Sequence, residues 1–232
     1  MKIRHGMILA AGLGKRMRPL TAKTPKPLLK IGGKTLIERA INLLLNHGVE
    51  EICVNIHYLG DEIKKFISSL KSKANIRISD EMNLLLDTGG GVKKGTKEFN
   101  NNPFFIINPD TLWDERYSEE VLALEKAYFG NKKPCLLLVK KELSLDKTFK
   151  GDFNLKEKIV SRNNQNKYIF TGLQIIERSN LSFISKNIFS MNEVWSKLID
   201  QNCLYGLESK QKFYHLNTIE MFEKISSLRS TD

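Results

Sequence analysis

From residue 3 onward, short apolar runs alternate with stretches whose apolar residues recur every three or four positions. Residues 3–9 (IRHGMIL) read as a strand. Thr35 to Asn46 (TLIERAINLLLN) reads as an amphipathic helix, stopped by Gly48 just past its last turn. Residues 50–56 (EEICVNI) predict a second strand, and 59–70 a second helix with apolar residues at 59, 63, 66, 67 and 70. A short strand is expected at 76–79 (IRIS). Residues 103–108 (PFFIIN) are nearly all apolar, as in a strand buried on both faces. A helix over 117–128 and a strand over 134–139 (PCLLLV) complete the alternation, which predicts an α/β fold with a mostly parallel sheet and helices on both faces. After about residue 150 the rhythm changes. GDFNL, KIVSR and YIFTGLQII predict shorter, partly antiparallel strands, followed by helices near 179–187, 191–201 and 218–228. No linker, internal repeat or low-complexity segment interrupts the chain, so a single domain over 1–232 is expected.

Composition narrows the class. A chain of 232 residues can bury the core of one sizeable α/β domain. No apolar run approaches the roughly 20 residues that cross a bilayer. The opening MKIRHGMILAAGL has a charge and then an apolar stretch, but Gly14-Lys15-Arg16 stands where a signal cleavage site should lie. Cys53, Cys135 and Cys203 are far apart and form neither a metal spacing nor a disulfide framework, which predicts a reducing cytoplasm. The formal charge of +11 comes from scattered lysines without a nucleic-acid-binding motif. Small anionic substrates and a solvated surface explain it, so no nucleic acid or membrane partner is expected.

The segment LAAGLGKRMRPLTAKTPKP (9–27) carries the densest chemistry. A dinucleotide fingerprint fails because Met17 stands at its third glycine. A Walker A loop fails because Leu9 and Arg16 occupy its first glycine and its Ser/Thr positions. Gly12 and Gly14 let the backbone approach a ligand and offer amides to anionic oxygens. Arg16 adds a planar fork suited to phosphate, and Lys26 is a cation held on stiff backbone between Pro25 and Pro27. Two such cations facing a triphosphate would neutralise the charge developing on leaving pyrophosphate. Three further segments stand out, each open to a bland reading. LLDTGGGV (85–92) is a triple-glycine turn opening a helix, or only a flexible loop. FFIINPDTLWD (104–114) ends a buried strand in Asn108 and Asp110, where open α/β sheets place ligands and where a carboxylate suits Mg²⁺; an aspartate there also serves as a turn or cap residue. KGDFNL (150–155) and YIFTGLQII (168–176) hold glycines that fit a ligand's approach or a plain turn.

Taken together, these motifs resemble the sugar-1-phosphate nucleotidylyltransferases. Their signature L-A-A-G-x-G-x-R-M-x-P-L-T-x-x-x-P-K-P is matched at Leu9, Ala10, Ala11, Gly12, Gly14, Arg16, Met17, Pro19, Leu20, Thr21, Pro25, Lys26 and Pro27. The phrases T-G-G-G, N-x-D, G-D-F and F-[ST]-G are similar to bacterial N-acetylmuramate-1-phosphate uridylyltransferases of cell-wall recycling, which are comparably short and lack a C-terminal left-handed β-helix. The resemblance implies a Rossmann-like, mixed, mostly parallel sheet of the nucleotide-diphospho-sugar transferase type. Residues 1–115 would be its nucleotide-binding half and 116–232 its sugar-phosphate-binding part. Leu9, Ala10, Ala11 and Gly12 would border the nucleotide, Gly14, Lys15 and Arg16 would wrap the triphosphate, and Lys26 would bridge nucleotide and sugar phosphate. Gly89 and Gly90, with the backbone near Leu86, would read the base. Asp110 would hold the metal, Asn108 would contact the sugar phosphate, and Gly151, Asp152 and Gly172 would border the sugar.

The implied reaction is nucleotidyl transfer to a sugar 1-phosphate with Mg²⁺, or Mn²⁺, as cofactor, by a monomer or homodimer. UTP with N-acetylmuramate 1-phosphate, or a related hexose phosphate, is the first expectation. GTP with mannose 1-phosphate, UTP or dTTP with glucose 1-phosphate and CTP with phosphocholine share the scaffold. Two departures stand out. Pro109 replaces the glycine usual before the aspartate. The pattern W-x-D-x-G-T becomes Phe213, Tyr214, His215, Leu216, Asn217 and Thr218, so His215 stands where the second metal-binding aspartate is expected. Imidazole binds Mg²⁺ poorly but tolerates Mn²⁺ or Zn²⁺. That substitution keeps a second class open, a nucleotide- or sugar-phosphate-binding regulator without turnover.

Overall fold

The computed structural model describes residues 1–100 and 102–229. Strand β1 (His5–Leu9) is followed by a small hairpin of β2 (Lys30–Ile31) and β3 (Lys34–Thr35), then helix α1 (Leu36–His47) and β4 (Glu51–Ile56). Next come α2 (Gly60–Ser69), β5 (Asn75–Asp80), α3 (Asp87–Gly95), β6 (Phe104–Ile107), α4 (Ser118–Asn131) and β7 (Cys135–Lys140). The remainder supplies β8 (Asn154–Lys156), β9 (Ile159–Ser161), β10 (Tyr168–Ile176), α5 (Met191–Asp200), β11 (Tyr205–Ser209) and α6 (Ile219–Arg229).

Among the described residues, nine strands form one sheet in the order β5-β4-β1-β6-β10-β7-β11-β9-β8. Strands β5, β4, β1 and β6 run parallel. Strand β10 runs antiparallel between β6 and β7, and β11 is parallel to β7. The sheet is therefore mixed, parallel throughout its β5–β6 side, and no β-helix follows among the described residues. The apolar run of β6 is explained by its position. Phe105 and Ile107 join the core on the α1 and α4 face, while Phe104 and Ile106 join the core on the α3 and α5 face. At the start of α1, Thr35 Oγ1 accepts from the Glu38 amide at 3.1 Å and Glu38 returns the bond to the Thr35 amide, a capping box.

Most expected elements lie within a few residues of their observed limits. The exceptions have physical causes. No helix forms over 179–187; a single 3₁₀ turn at Arg178–Leu181 is all that appears. The chain beyond it turns its backbone to α3: the Phe189 carbonyl accepts from the Gly89 and Gly90 amides at 2.9 and 3.0 Å, and the Phe189 amide donates to Leu86. Helix α3 has no side-chain cap, so this carbonyl caps its first turn. The triple glycine consequently lies inside α3, not in a turn before it. A side chain at Gly89 would overlap Phe189, and one at Gly90 would overlap the Asn187 carbonyl. Strand β11 was not anticipated, because YGLES carries a glycine and polar residues; Gly206 lets the strand pass Leu138, Leu155 and Val160 closely.

Two helical glycines give opposite expectations. At Gly130 in α4 an added methyl meets open space, so Gly130→Ala gains helix propensity and stabilises by about 0.5–1 kcal/mol. At Gly90 the same methyl meets a backbone carbonyl that has no easy retreat, so Gly90→Ala destabilises despite the propensity gain. Thermal denaturation of the two variants should move in opposite directions; a parallel shift would contradict this packing of α3.

Candidate active site

The loop after β1 is shaped by its own contacts. Gly14 is left-handed at φ 62°, and a Cβ there would lie 3.2 Å from the Thr21 side chain. Thr21, fully buried, donates its hydroxyl to the Gly14 carbonyl at 2.8 Å, and Tyr58 Oη donates to the Thr21 carbonyl at 3.1 Å. Buried Met17 anchors a single 3₁₀ turn over Lys15–Met17, which leaves Lys15 and Arg16 exposed beside the cleft. Gly12 differs. Nothing in the protein lies within 4 Å of where its Cβ would be, so its bareness leaves space open above the loop.

Opposite this loop, the segment after β6 is pinned from two sides. The Asn108 amide donates to the Gly172 carbonyl at 2.8 Å, Thr111 Oγ1 to the Thr171 carbonyl at 2.6 Å, and Trp113 Nε1 to the Asn108 carbonyl at 2.7 Å. From the other side the Leu216 amide donates to the Asp110 carbonyl at 2.8 Å, and the Leu112 amide to the Tyr214 carbonyl at 2.9 Å. Gly172 sits where β10 shifts register, at φ 95°, and a Cβ there would lie 2.9 Å from Asn108 Cβ. The result is an Asp110 side chain held at the mouth of the cleft. Its Oδ2 accepts from Lys26 Nζ at 2.7 Å and faces His215 Nε2 at 3.1 Å. Burial works against a charge on Asp110, but the Lys26 ammonium and the His215 ring outweigh it and hold the carboxyl well below the usual carboxylate range. The His215 ring stacks on Phe149, with centroids 5.6 Å apart, and its Nδ1 is buried without a hydrogen-bond partner.

These two segments enclose a cleft of about 410 Å³ at the carboxyl ends of β1 and β6. Leu9, Ala10, Ala11, Gly12, Gly14, Lys15, Arg16, Lys26, Asn108 and Asp110 share its wall. Their gathering from positions 9–26 and 108–110 is what the motifs predicted. His215 stands behind Asp110, and Gly172 reaches the cleft only through Asn108. Leu86, Gly89 and Gly90, expected at the base, do not line the cleft: its wall there is Leu85, Asp87 and Thr88, while the Gly89 and Gly90 amides donate to Phe189 and the Leu86 amide to Glu81 at 3.1 Å. Gly151 and Asp152 also lie outside this wall. Asp152 Oδ2 accepts from the Phe170 amide at 2.9 Å and the Asp152 amide donates to the Tyr168 carbonyl at 2.7 Å, so this turn is tied to β10. Asn55 and Asn217 line the cleft and were not anticipated. The one polar residue in the apolar interior of the β4 run, Asn55, was the available signal.

No group of three or more His, Cys, Asp or Glu side chains gathers among the described residues. One carboxylate and one neighbouring imidazole fall short of an all-protein cage. They match an ion that arrives on phosphate oxygens, which asks for one or two protein ligands only.

Comparison with known proteins agrees with this geometry. Residues 5–141 match the family described as Nucleotidyl transferase. An N-acetylmuramate α-1-phosphate uridylyltransferase of Caulobacter vibrioides is 30% identical over 218 residues, 90% of each chain. A mannose-1-phosphate guanyltransferase of Gibberella zeae is 34% identical over 129 residues, 54% of this chain and 35% of its own. The structure of an inositol-1-phosphate CTP transferase from T. maritima superposes with a TM-score of 0.80 at 19% identity, covering 99% of this chain and 96% of that one, which shows a shared fold. The chain belongs to the nucleotidyl transferase family and is a sugar-1-phosphate nucleotidyltransferase.

Proposed function

We propose that the protein joins UTP to N-acetylmuramate 1-phosphate, releasing pyrophosphate. The convergence of Lys26 and Asp110 on a cleft floored by the Gly12–Arg16 loop carries the reading of the site. The choice of substrates is supported by the Caulobacter relative, whose similarity extends over 90% of both chains.

In this reading the loop amides, Lys15 and Arg16 take the β- and γ-phosphates. Lys26 turns from Asp110 toward the α-phosphate and the incoming sugar phosphate. A sugar-phosphate oxygen attacks the α-phosphorus, the bond from that phosphorus to the β-bridging oxygen breaks, and pyrophosphate leaves with the electron pair. No covalent intermediate on the protein is needed, so the residues act by alignment and charge neutralisation. Asp110, with His215 beside it, would hold a divalent metal, which when bound supplies further neutralisation of phosphate charge. Asn108 holds the sugar-phosphate side.

Product analysis with a panel of NTPs and sugar 1-phosphates tests the assignment. UTP with N-acetylmuramate 1-phosphate should give the highest kcat/KM. A higher value for GTP with mannose 1-phosphate would move the substrate to that of the Gibberella relative, and no turnover with any pair would contradict the reading. Lys26→Ala and Arg16→Ala should each lower kcat/KM by about 100-fold or more with the circular dichroism spectrum retained, since each removes a donor facing developing charge. Unchanged kinetics in both variants would remove the two residues from the reaction. Because an imidazole stands beside Asp110, Mn²⁺ should support turnover better than Mg²⁺, and His215→Asp should shift the preference toward Mg²⁺. The same metal preference in both proteins would contradict a ligand role for His215.

A further inference from the structure

Glu81 is 2% exposed, follows directly after β5, and has no role in the reaction above. Burial raises its pKa against the pull of its hydrogen bonds, so keeping this carboxylate inside is costly. Its two oxygens serve two different elements, the end of β4 and the segment that opens α3. Oε2 accepts from the Leu86 amide at 3.1 Å, and Oε1 accepts from Asn55 Nδ2 at 2.8 Å. Asn55, 3% exposed near the end of β4, accepts in turn from the Ala10 amide through Oδ1 at 2.8 Å. The relay therefore runs from the start of the phosphate-side loop to the start of the base-side loop, with both amides satisfied.

Its polarity is fixed by chemistry. The Ala10 amide can only donate, so Asn55 must present its oxygen there and its NH₂ group to Glu81. The third glycine of the triple run belongs to this arrangement. A Cβ at Gly91 would lie 2.6 Å from Asn55 Nδ2 and 2.8 Å from Glu81 Oε1, so α3 closes over the pair only because that position is bare. His57 backs the same turn, with Nδ1 2.7 Å from the Glu81 carbonyl oxygen.

We propose that Asn55 and Glu81 are positioning residues that fix the distance between the phosphate-side and base-side loops, and thereby which NTP the enzyme accepts. The inference rests on the reading that the nucleotide lies across this cleft. Its base side is formed by Leu85, Asp87 and Thr88, of which Leu85 is apolar and reads hydrogen bonds through backbone only. A base read by groups carried on this short segment, backbone or side chain, is selected by where the segment sits, and a displacement well under an ångström is enough to lose a hydrogen bond.

The experiment exchanges the polarity of the pair. In N55D two acceptors face each other, and in E81Q two NH₂ groups do. The double variant N55D/E81Q satisfies every group again: the new carboxylate accepts from Ala10 and from the new amide, whose oxygen accepts from Leu86. Each single variant should raise KM for UTP by about tenfold, the usual consequence of a mispaired buried group, with a smaller fall in kcat. Each should also reduce the ratio of kcat/KM for UTP over the other NTPs, while KM for the sugar phosphate moves less. The double variant should recover both KM and selectivity. Gly91→Ala, which crowds the pair without changing its hydrogen-bonding groups, should move KM and selectivity in the same direction. Single variants that lose thermal stability but keep wild-type KM and selectivity would overturn the proposal, as would a double variant that recovers stability alone. Calorimetry of UTP on the wild-type protein separates the two levels. No binding there overturns the reading of the cleft together with this inference, whereas wild-type binding with unaltered variants overturns only the coupling.

Discussion

The ion pair between Lys26 and Asp110 joins residues 84 positions apart and sets the geometry of the cleft. Neither partner reaches it by local structure alone. Lys26 is carried by a 3₁₀ turn that begins after Pro25, and Asp110 by a segment pinned between β10 and residues 214–216. Both side chains are largely withdrawn from water, at 15% and 27% exposure, so the pair pays part of its attraction back in desolvation. Its value is in readiness. In the proposed reaction, a cation held at the cleft wall by a single carboxylate oxygen would exchange that oxygen for a phosphate oxygen with little reorganisation.

The sheet explains why these groups meet. Parallel strands β1, β4, β5 and β6 end on one side; the end of β4 supplies Asn55, and the segments after β1, β5 and β6 supply the Gly12–Arg16 turn, the Leu85–Thr88 wall and Asp110. Strand β10, entering antiparallel, brings Thr171 and Gly172 against Asn108 and Thr111 from the second half of the chain. Strand β10 thus supports the cleft from behind, through the segment after β6, and adds no wall residue of its own. Residues 213–217 add the other flank, with His215 facing Asp110 and Asn217 Nδ2 donating to Asp146 at 3.1 Å.

Much of this was legible in the sequence because the signals were local. The β6 run declared a doubly buried strand, the apolar spacing from Thr35 to Asn46 a helix stopped at Gly48, and the glycines and cations from Leu9 to Pro27 a ligand-approach loop, whose residues 9–17, 26 and 27 line the cleft. What was not legible depends on long-range partners. The glycines at 89–91 look like a ligand-facing turn until Phe189, Asn187 and Asn55 are seen occupying the space their side chains would need. Residues 179–187 carry enough apolar side chains for a helix, yet the chain just beyond them turns the Phe189 carbonyl onto the first turn of α3. Asp152, read with Gly151 as a sugar contact, is tied to the start of β10 by bonds that no spacing rule reveals. The link from Glu81 to Ala10 through Asn55 crosses three strands' ends and leaves no motif behind.

Where the nucleotide lies is decided by a crystal structure with a non-hydrolysable UTP analogue. The expected placement has the triphosphate on the Gly12–Arg16 amides, the base beside Leu85–Thr88, and Lys26 Nζ moved from Asp110 Oδ2 onto a phosphate oxygen. A base seated on the glycine loop, or a triphosphate bound away from Arg16 with the Lys26–Asp110 pair intact, would contradict it.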